Sequence, residues 1–444
     1  MNSAGLLDIF NAAIDAVDPY EAVKKAMRIE GNSLHAAGGT YDLDVFRRIL
    51  VLGAGKATAR MALSIEDLLG DRITEGLIIV KVGHTAPLRI IEQVEASHPI
   101  PDEAGVRGTV RMMDLLKRAN EQTLVLCLFS GGASALLVAP AEGLTLRDKQ
   151  EATSLLLKTG ASIDELNAIR KHLSAVKGGR FAKAACPAQI VALILSDVIG
   201  DRLDVIASGP TARDMTTYAE ALTVIDKYGL KGSMPSRVTA YLERGSAGQE
   251  PETVKSGDSC LHKTRNVIIG GIGHALAAAK EKARQLGLAA DIITEELQGE
   301  VGVAANYLAR IALNTRHELK PGERRCLLSG GETTVTVRGT GKGGRNQELA
   351  LAFARAIAGV IGITLLSAGT DGTDGPTDAA GAVVDGDTVR RATEHGLVPG
   401  DYLANNDSYE FFSRYDALTG DHTHIKTGPT GTNVMDIQLI VVEG

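Results

Sequence analysis

Short apolar runs and longer amphipathic runs alternate along most of the chain. Arg48–Leu52, Gly76–Val80, Thr123–Phe129, Gln189–Leu195, Asn266–Ile269 and Gly362–Leu366 are rich in Leu, Ile and Val. Continuous apolar runs of this length predict strands buried on both faces, hence a mostly parallel sheet covered by helices. Ile9–Met27, Ala57–Leu69, Gly105–Arg118, Leu146–Thr159, Leu166–Ala175 and His274–Leu286 carry apolar residues at helical spacing. Strand alternating with helix is the signature of an α/β fold.

The pattern lapses over Gly245–Lys263, which is polar, contains Gly, Ser and Pro, and has no apolar period. It reads as a linker, with a new strand–turn–helix pattern starting just after it. The expected division is residues 1–247, a linker at 248–265, and 266–444. Cys326–Val337 (CLLSGGETTVTV) reads as a strand, a Gly turn and a second, alternating strand, which makes the second sheet mixed.

Composition removes several classes of function. The 444 residues carry 47 Lys and Arg against 54 Asp and Glu, a net charge of −7, with 4% aromatics and no Trp. No basic or stacking surface for nucleic acid, and no cationic face for anionic lipid, follows from such a balance. The four cysteines, at 127, 186, 260 and 326, are too far apart for a metal clip and too few for a disulfide framework. They read as buried free thiols in a reducing compartment. The first residues lack a basic leader pattern, and no uninterrupted apolar stretch approaches ~18 residues. A cytoplasmic location is the expectation.

Candidate chemistry lies in Gly-rich segments after the apolar runs. Gly53-Ala-Gly55-Lys56 follows a strand and precedes a helix, where backbone N–H groups make an anion site and Lys56 adds charge. It is not a Walker A loop, because Ala57 follows the Lys, and not a Rossmann fingerprint, because Thr58 stands for the third Gly. Ser130-Gly131-Gly132 suits a phosphate or carboxylate, and Ser134 lacks the second Gly of a nucleophile elbow. Asn167, Arg170, Ser174 and Lys177 recur at spacings of three or four, on one helical stripe fit for an acidic substrate. Gly178-Gly179 is expected to end that helix.

Asp197 stands directly after an apolar strand, the usual place for a catalytic or metal-binding carboxylate in an open α/β sheet, with Ser208-Gly209 following. A second anion loop runs from Ser329-Gly330-Gly331-Glu332 through Gly339, Gly341, Lys342, Gly343 and Gly344 to Arg345. Asp371, Asp374 and Asp378 share a Gly/Thr/Pro turn whose spacing is not that of an EF-hand. His422 and His424 read as a strand edge.

Taken together, these segments resemble the class II glycerate 2-kinases, whose C-terminal domain is called MOFRL. The resemblance rests on GAGKA at 53–57, SGGASAL at 130–136, NAIRKHLSAVKGGR at 167–180 and SDVIGDRLDVIASGPT at 196–211. It continues through SGGETTVTVRGTGKGGRNQE at 329–348, GTDGTDGPTDAAG at 369–381 and TGPTGTNVMDI at 427–437, in one order over nearly the whole chain. It implies a Rossmann-like N-terminal domain, a C-terminal α/β domain with the MOFRL region at about 325–440, and an active site in the cleft between them.

The implied reaction is ATP-dependent phosphorylation of D-glycerate at the 2-hydroxyl. Lys56 and Arg345 would embrace the transferring phosphoryl group, and Asp197 would orient or deprotonate the hydroxyl. Ser130, Gly131, Arg170, Lys177 and Asn346 would meet the substrate. Gly53, Gly55, Ser208, Gly209, Gly330, Gly331, Glu332, Gly341 and Gly343 would hold ATP, and Asp371 and Asp374 would hold Mg²⁺. Lys56 and Arg345 sit on Gly loops at helix starts, so their removal is expected to spare the fold. A homodimer is compatible with this reading. Two alternatives are an NAD(P)-dependent hydroxypyruvate reductase, against which the missing third Gly speaks, and a nucleotide sensor, which would not need Asp197.

Overall fold

The computed structural model describes residues 3–444, which fall into two compact units. One is continuous, Pro19–Ile269; the other is split, joining the residues up to Asp18 to Gly270–Gly444.

The continuous unit opens with a small antiparallel meander, β1 (Met27–Glu30), β2 (Ser33–Ala36) and β3 (Gly39–Asp42). Its main sheet contains β4 (Arg48–Ala54), β5 (Glu75–Lys81), β6 (Ile91–Ala96), β7 (Thr123–Phe129), β8 (Gln189–Leu195) and β9 (Thr264–Gly270). They lie in the order β6-β5-β4-β7-β8-β9, and the pairings from β6 through β8 are parallel. All seven residues of β7 are buried. Leu124, Leu126 and Leu128 join the apolar layer on one face, and Val125, Cys127 and Phe129 join the layer on the other. Alternation between two dry faces is why these runs read as unbroken apolar sequence.

A helical layer of the same unit contains Leu146–Lys158, Ile163–His172, Tyr218–Lys227 and Ser236–Ser246. Three of these begin with reciprocal capping boxes, at Thr145/Asp148, Ser162/Glu165 and Thr217/Glu220. Each box satisfies helix amides that would otherwise lack acceptors.

The split unit has a mixed sheet, as the sequence predicts. Its strands are β10 (Ala289–Glu300), β11 (Arg324–Thr334), β12 (Ile363–Gly369), β13 (Gly381–Asp385), β14 (His424–Ile425) and β15 (Asp436–Glu443). The order is β10-β11-β15-β12-β13-β14, with β10 and β11 parallel and the remaining pairs antiparallel. His424 stands on the terminal strand β14, at the sheet edge.

Four expectations are corrected. The helix expected over Ile9–Met27 is two helices, Ser3–Ala16 and Pro19–Ala26, because Pro19 lacks an N–H and disfavours helical backbone at Asp18. The division also moves: Thr264–Gly270 lies beside β8, and Val254 and Cys260 of the expected linker are buried in the continuous unit. Lys263 O accepts from Ile190 N at 2.8 Å, which stitches the segment to β8. Cys326–Val337 holds no Gly turn, since Gly330 and Gly331 lie inside one strand. A Cβ on Gly330 would meet the Ile272 side chain, and one on Gly331 the backbone of Leu297, so close packing accounts for both glycines. Finally, Cys127, Cys260 and Cys326 are buried thiols, but Cys186 is exposed. Among the described residues, no helix is long and apolar enough to cross a membrane.

Candidate active site

Loops at the carboxyl ends of β4, β7 and β8 converge on the turn Ser130–Gly132. The Ser130 hydroxyl accepts from Ala57 N at 3.1 Å and lies 3.0 Å from the Thr58 hydroxyl, while Lys56 N donates to Gly131 O at 2.9 Å. Gly55 N donates to Ile79 O at 3.1 Å. The amides of Gly55, Lys56 and Ala57 are therefore spent within the protein, which corrects Gly53 and Gly55 as a phosphate cradle. A Cβ on Gly53 would collide with Leu128, and one on Gly55 with Ser130. These glycines let two loops approach.

The turn itself is different. Among the described residues neither Gly131 N–H nor Gly132 N–H meets a protein acceptor. Gly132 adopts the left-handed region at φ 85, which directs the turn into the short helix Ala133–Leu136. Asp197, half-buried just after β8, lays its carboxylate against Gly131, where a Cβ would strike it. On the other side, Lys56 Cγ and the His98 ring lie within 3.3 Å of the place a Gly132 Cβ would take.

Two cations, Lys56 and Lys81, act on the histidines beside this turn. Burial first, then Lys56, Lys81 and His84, push the His98 imidazole down to about 4. Burial, Lys81 and Lys56 also lower His84, against a hydrogen bond with Lys56 O at 3.2 Å that raises it. Arg170 is half-buried and held below its ordinary value by burial, with no ion pair among the described residues to offset this. Its neighbours differ: Lys171 pairs with Asp214 at 3.2 Å, and His172 with Glu252 at 2.8 Å. A half-buried guanidinium without a carboxylate suits an anionic ligand.

The stripe expected from Asn167 to Lys177 is broken. The helix ends at His172, and Gly178-Gly179 lead into the next helix, Arg180–Ala185, rather than ending that one. Lys177 is buried and donates to Ser134 O at 2.8 Å and Ala207 O at 3.2 Å. Burial, Lys149 and Arg170 hold it well below the usual lysine range. It ties two loops together, so its assignment as a substrate ligand is corrected. Asn167 accepts from Ser208 Oγ at 3.1 Å, and Ser208 lies 3.4 Å from Ser134 Oγ. Ala207 and Ser208 both take left-handed backbone, at φ 54 and 60. Such residues cost about 1–3 kcal/mol each and gather where a site demands the geometry. Ser208 O and Gly209 O accept from Gly178 N and Gly179 N, which makes this segment a brace beside the turn.

In the split unit, Arg345 begins the helix Arg345–Ala356. Its guanidinium grips Asp436 through Nε at 2.5 Å and Nη2 at 3.0 Å, and Glu332 through Nη1 at 2.7 Å. Burial opposes its charge, but Asp436 and then Glu332 raise its pKa above the ordinary value. Asn346 is buried and accepts from Ser367 Oγ at 2.7 Å, a core contact that corrects it as a substrate ligand. The loop before the helix is not an open cradle either. Gly339 N donates to Asn406 Oδ1 at 3.0 Å, Thr340 N to Asn405 Oδ1 at 3.1 Å, Gly341 N to Asn405 O at 3.0 Å and Lys342 N to Asp407 Oδ1 at 2.9 Å. Gly341 and Gly343 sit where a Cβ would strike Asp407 and Ser408. Close packing therefore accounts for Gly330, Gly331, Gly341 and Gly343 without any nucleotide.

The acidic turn does not fit a metal held by protein. Asp374 is buried, with Oδ1 accepting from Asn346 N at 3.0 Å and Oδ2 from Gln347 N and Nε2, both at 2.9 Å. It caps the Arg345 helix, and burial raises its pKa to about 6 despite those bonds. Asp371 Oδ1 accepts from Thr373 N and Oγ1 at 3.0 Å. Among the described residues, no three His, Cys, Asp or Glu side chains converge where a metal could sit. Asp374 is thus spent on the start of the helix, and the two carboxylates by themselves make no protein-held metal site.

Sequence reasoning missed His84, His98, Asp436 and the Asn405–Asp407 turn. The polar run Asn405-Asn406-Asp407 is a turn signal legible in retrospect. Nothing in spacing alone brings His98 to Gly132.

A family model described as a domain of unknown function (DUF4147) matches residues 5–243, and the MOFRL family model matches 325–436. The chain is 42% identical to a D-glycerate 2-kinase from Thermotoga maritima, over 97% of this chain and 96% of that one. It is 39% identical to a glycerate 2-kinase from Pyrococcus horikoshii, over 98% and 96%. The crystal structure of glycerate kinase from Thermotoga maritima superposes with a TM-score of 0.86 at 41% identity, covering 99% of each chain.

Proposed function

Because this chain belongs to the type-2 glycerate kinase family, we propose that it transfers the terminal phosphoryl group of ATP to the 2-hydroxyl of D-glycerate, releasing 2-phosphoglycerate and ADP. The observation that carries this reading is the Ser130–Gly132 turn, with two open amides, the Asp197 carboxylate against one glycine and Lys56 beside the next. Phosphoryl transfer needs positioning and neutralisation of charge more than covalent chemistry. Open amides and Arg170 would hold the acid, Asp197 would take the hydroxyl proton, and Lys56 would face the transferring group. Arg345 is proposed as a second catalytic cation, oriented by Asp436 and Glu332. Magnesium is proposed only as the counter-ion that ATP brings, with no residue of this chain assigned to it. A cytoplasmic enzyme without nucleic-acid or membrane partners belongs to the same proposal.

ATP consumption over a panel of short hydroxy acids, with the product identified as the 2- or 3-phosphate, tests this directly. Exclusive formation of the 3-phosphate, or no turnover of glycerate, overturns it. The reductase alternative is disfavoured because the amides of Gly55, Lys56 and Ala57, where a dinucleotide pyrophosphate would sit, already donate within the protein. Oxidation of NADH by hydroxypyruvate is the check.

Lys56→Ala should lower kcat by roughly 10²–10³, the usual loss for a group that meets developing charge, with an unchanged melting temperature. Its ammonium makes no ion pair among the described residues, so little folded structure depends on it. Wild-type turnover in the variant would reduce Lys56 to a loop residue.

A further inference from the structure

We propose that His98 determines specificity, its imidazole hydrogen-bonding the terminal hydroxyl of glycerate while the 2-hydroxyl meets Asp197. The inference rests on the glycerate kinase reading and adds a residue to it. Asp197 lies against Gly131, and His98 against the next residue, Gly132. An acid seated on the two open amides would place neighbouring hydroxyls toward neighbouring side chains. Neither His98 ring nitrogen has a hydrogen-bond partner among the described residues, although the side chain is half-buried. A polar group in that position gains most from a ligand that supplies the missing partner.

The charge state argues for a hydroxyl rather than an anion. Burial, Lys56, Lys81 and His84 keep the imidazole neutral at neutral pH. A neutral imidazole presents one donor and one acceptor, matching a hydroxyl, which also does both. Carboxylate and phosphoryl oxygens accept only, and the cations Lys56, Lys81 and Arg170 suit them better.

The test compares kcat/KM for D-glycerate and D-lactate, which share the carboxylate and the 2-hydroxyl and differ in the terminal hydroxyl. A site that hydrogen-bonds a substrate hydroxyl rejects the analogue lacking it by about 10⁴–10⁵. Wild type should show discrimination of that order. Where lactate turnover is too slow to follow, its inhibition constant against glycerate replaces it. His98→Phe should cut the glycerate value by roughly 10²–10³ and leave lactate within about threefold, so that the ratio falls by about 10²–10³. His98→Gln, which keeps a donor and an acceptor, should recover at least about tenfold of the glycerate value. If His98→Phe does not fold, His98→Ala carries the same expectation.

An equal loss for both acids, an unchanged ratio, or no difference between Gln and Phe variants overturns the inference and leaves the kinase reading intact. Failure of wild type to phosphorylate glycerate overturns both. Melting temperatures equal to wild type separate the effect from misfolding.

Discussion

In Asp197→Asn, kcat for D-glycerate should fall by about 10²–10⁴ with the melting temperature nearly unchanged. The carboxylate follows β8, is half-buried, and rests on the glycine whose amide is open to a ligand. Asn preserves volume and hydrogen-bonding shape but cannot accept a proton. A helix-capping role would predict near-normal activity, since Asn caps about as well as Asp. The 3₁₀ turn that follows, Ile199–Asp201, starts from Val198 without any side-chain cap, so capping is not what the residue does there. Retention of more than about a tenth of wild-type kcat would remove Asp197 as the base, because loss of a general base costs at least about 10².

Arg345→Ala should lower both kcat and thermal stability, and Asp436→Asn in the same chain should return most of the stability but none of the activity. Asp436 is 1% exposed, and Arg345 meets it with two donors. Removing one partner of a fully buried pair costs roughly 3–5 kcal/mol, mostly from the charge left behind. The Arg345 side chain is 35% exposed, so water screens part of that, and about 1–3 kcal/mol is expected. At about 2–4 °C per kcal/mol for a domain of this size, the shift is readily measured by calorimetry. A variant that melts with the wild type, or a double variant no more stable than the single one, would show that the ion pair is inert. This outcome departs from the sequence expectation that Arg345 has little to support, and Asp436 is the reason.

Sequence pattern carries the layers of this fold well and its loops poorly. The apolar runs at Thr123–Phe129 and Gln189–Leu195 are strands over those same residues, because burial on both faces writes itself directly into composition. Gly clusters are more ambiguous. An amide held open for a ligand and an amide bonded to another loop demand the same residue. Among the described residues Gly131 N–H meets no protein acceptor, whereas Gly55 and Gly341 are of the second kind, and the difference lies in Ile79 O and Asn405 O, far off in sequence. Lys177 failed similarly, since helical spacing places it on a stripe that the break after His172 dissolves. The place of Asp197, just after β8, was legible because it depends only on the strand before it. His98 was not, because its approach to Gly132 is set by how β6 and β7 are ordered in the sheet.

The division of the chain at Asp18/Pro19 and Ile269/Gly270 makes the continuous unit an insertion within the other. During synthesis the helix Ser3–Ala16 emerges before the inserted unit, yet its partner helix Ile272–Gln285 appears only after it. Leu6, Ile9, Phe10 and Ala13, all fully buried in the finished protein, must wait for it while the whole inserted unit is made and is free to fold. A fragment starting at Gly270 would keep every strand of its sheet and still lack the cover for that helix. Such a fragment should aggregate, and addition in trans of a peptide spanning residues 1–18 should restore its solubility.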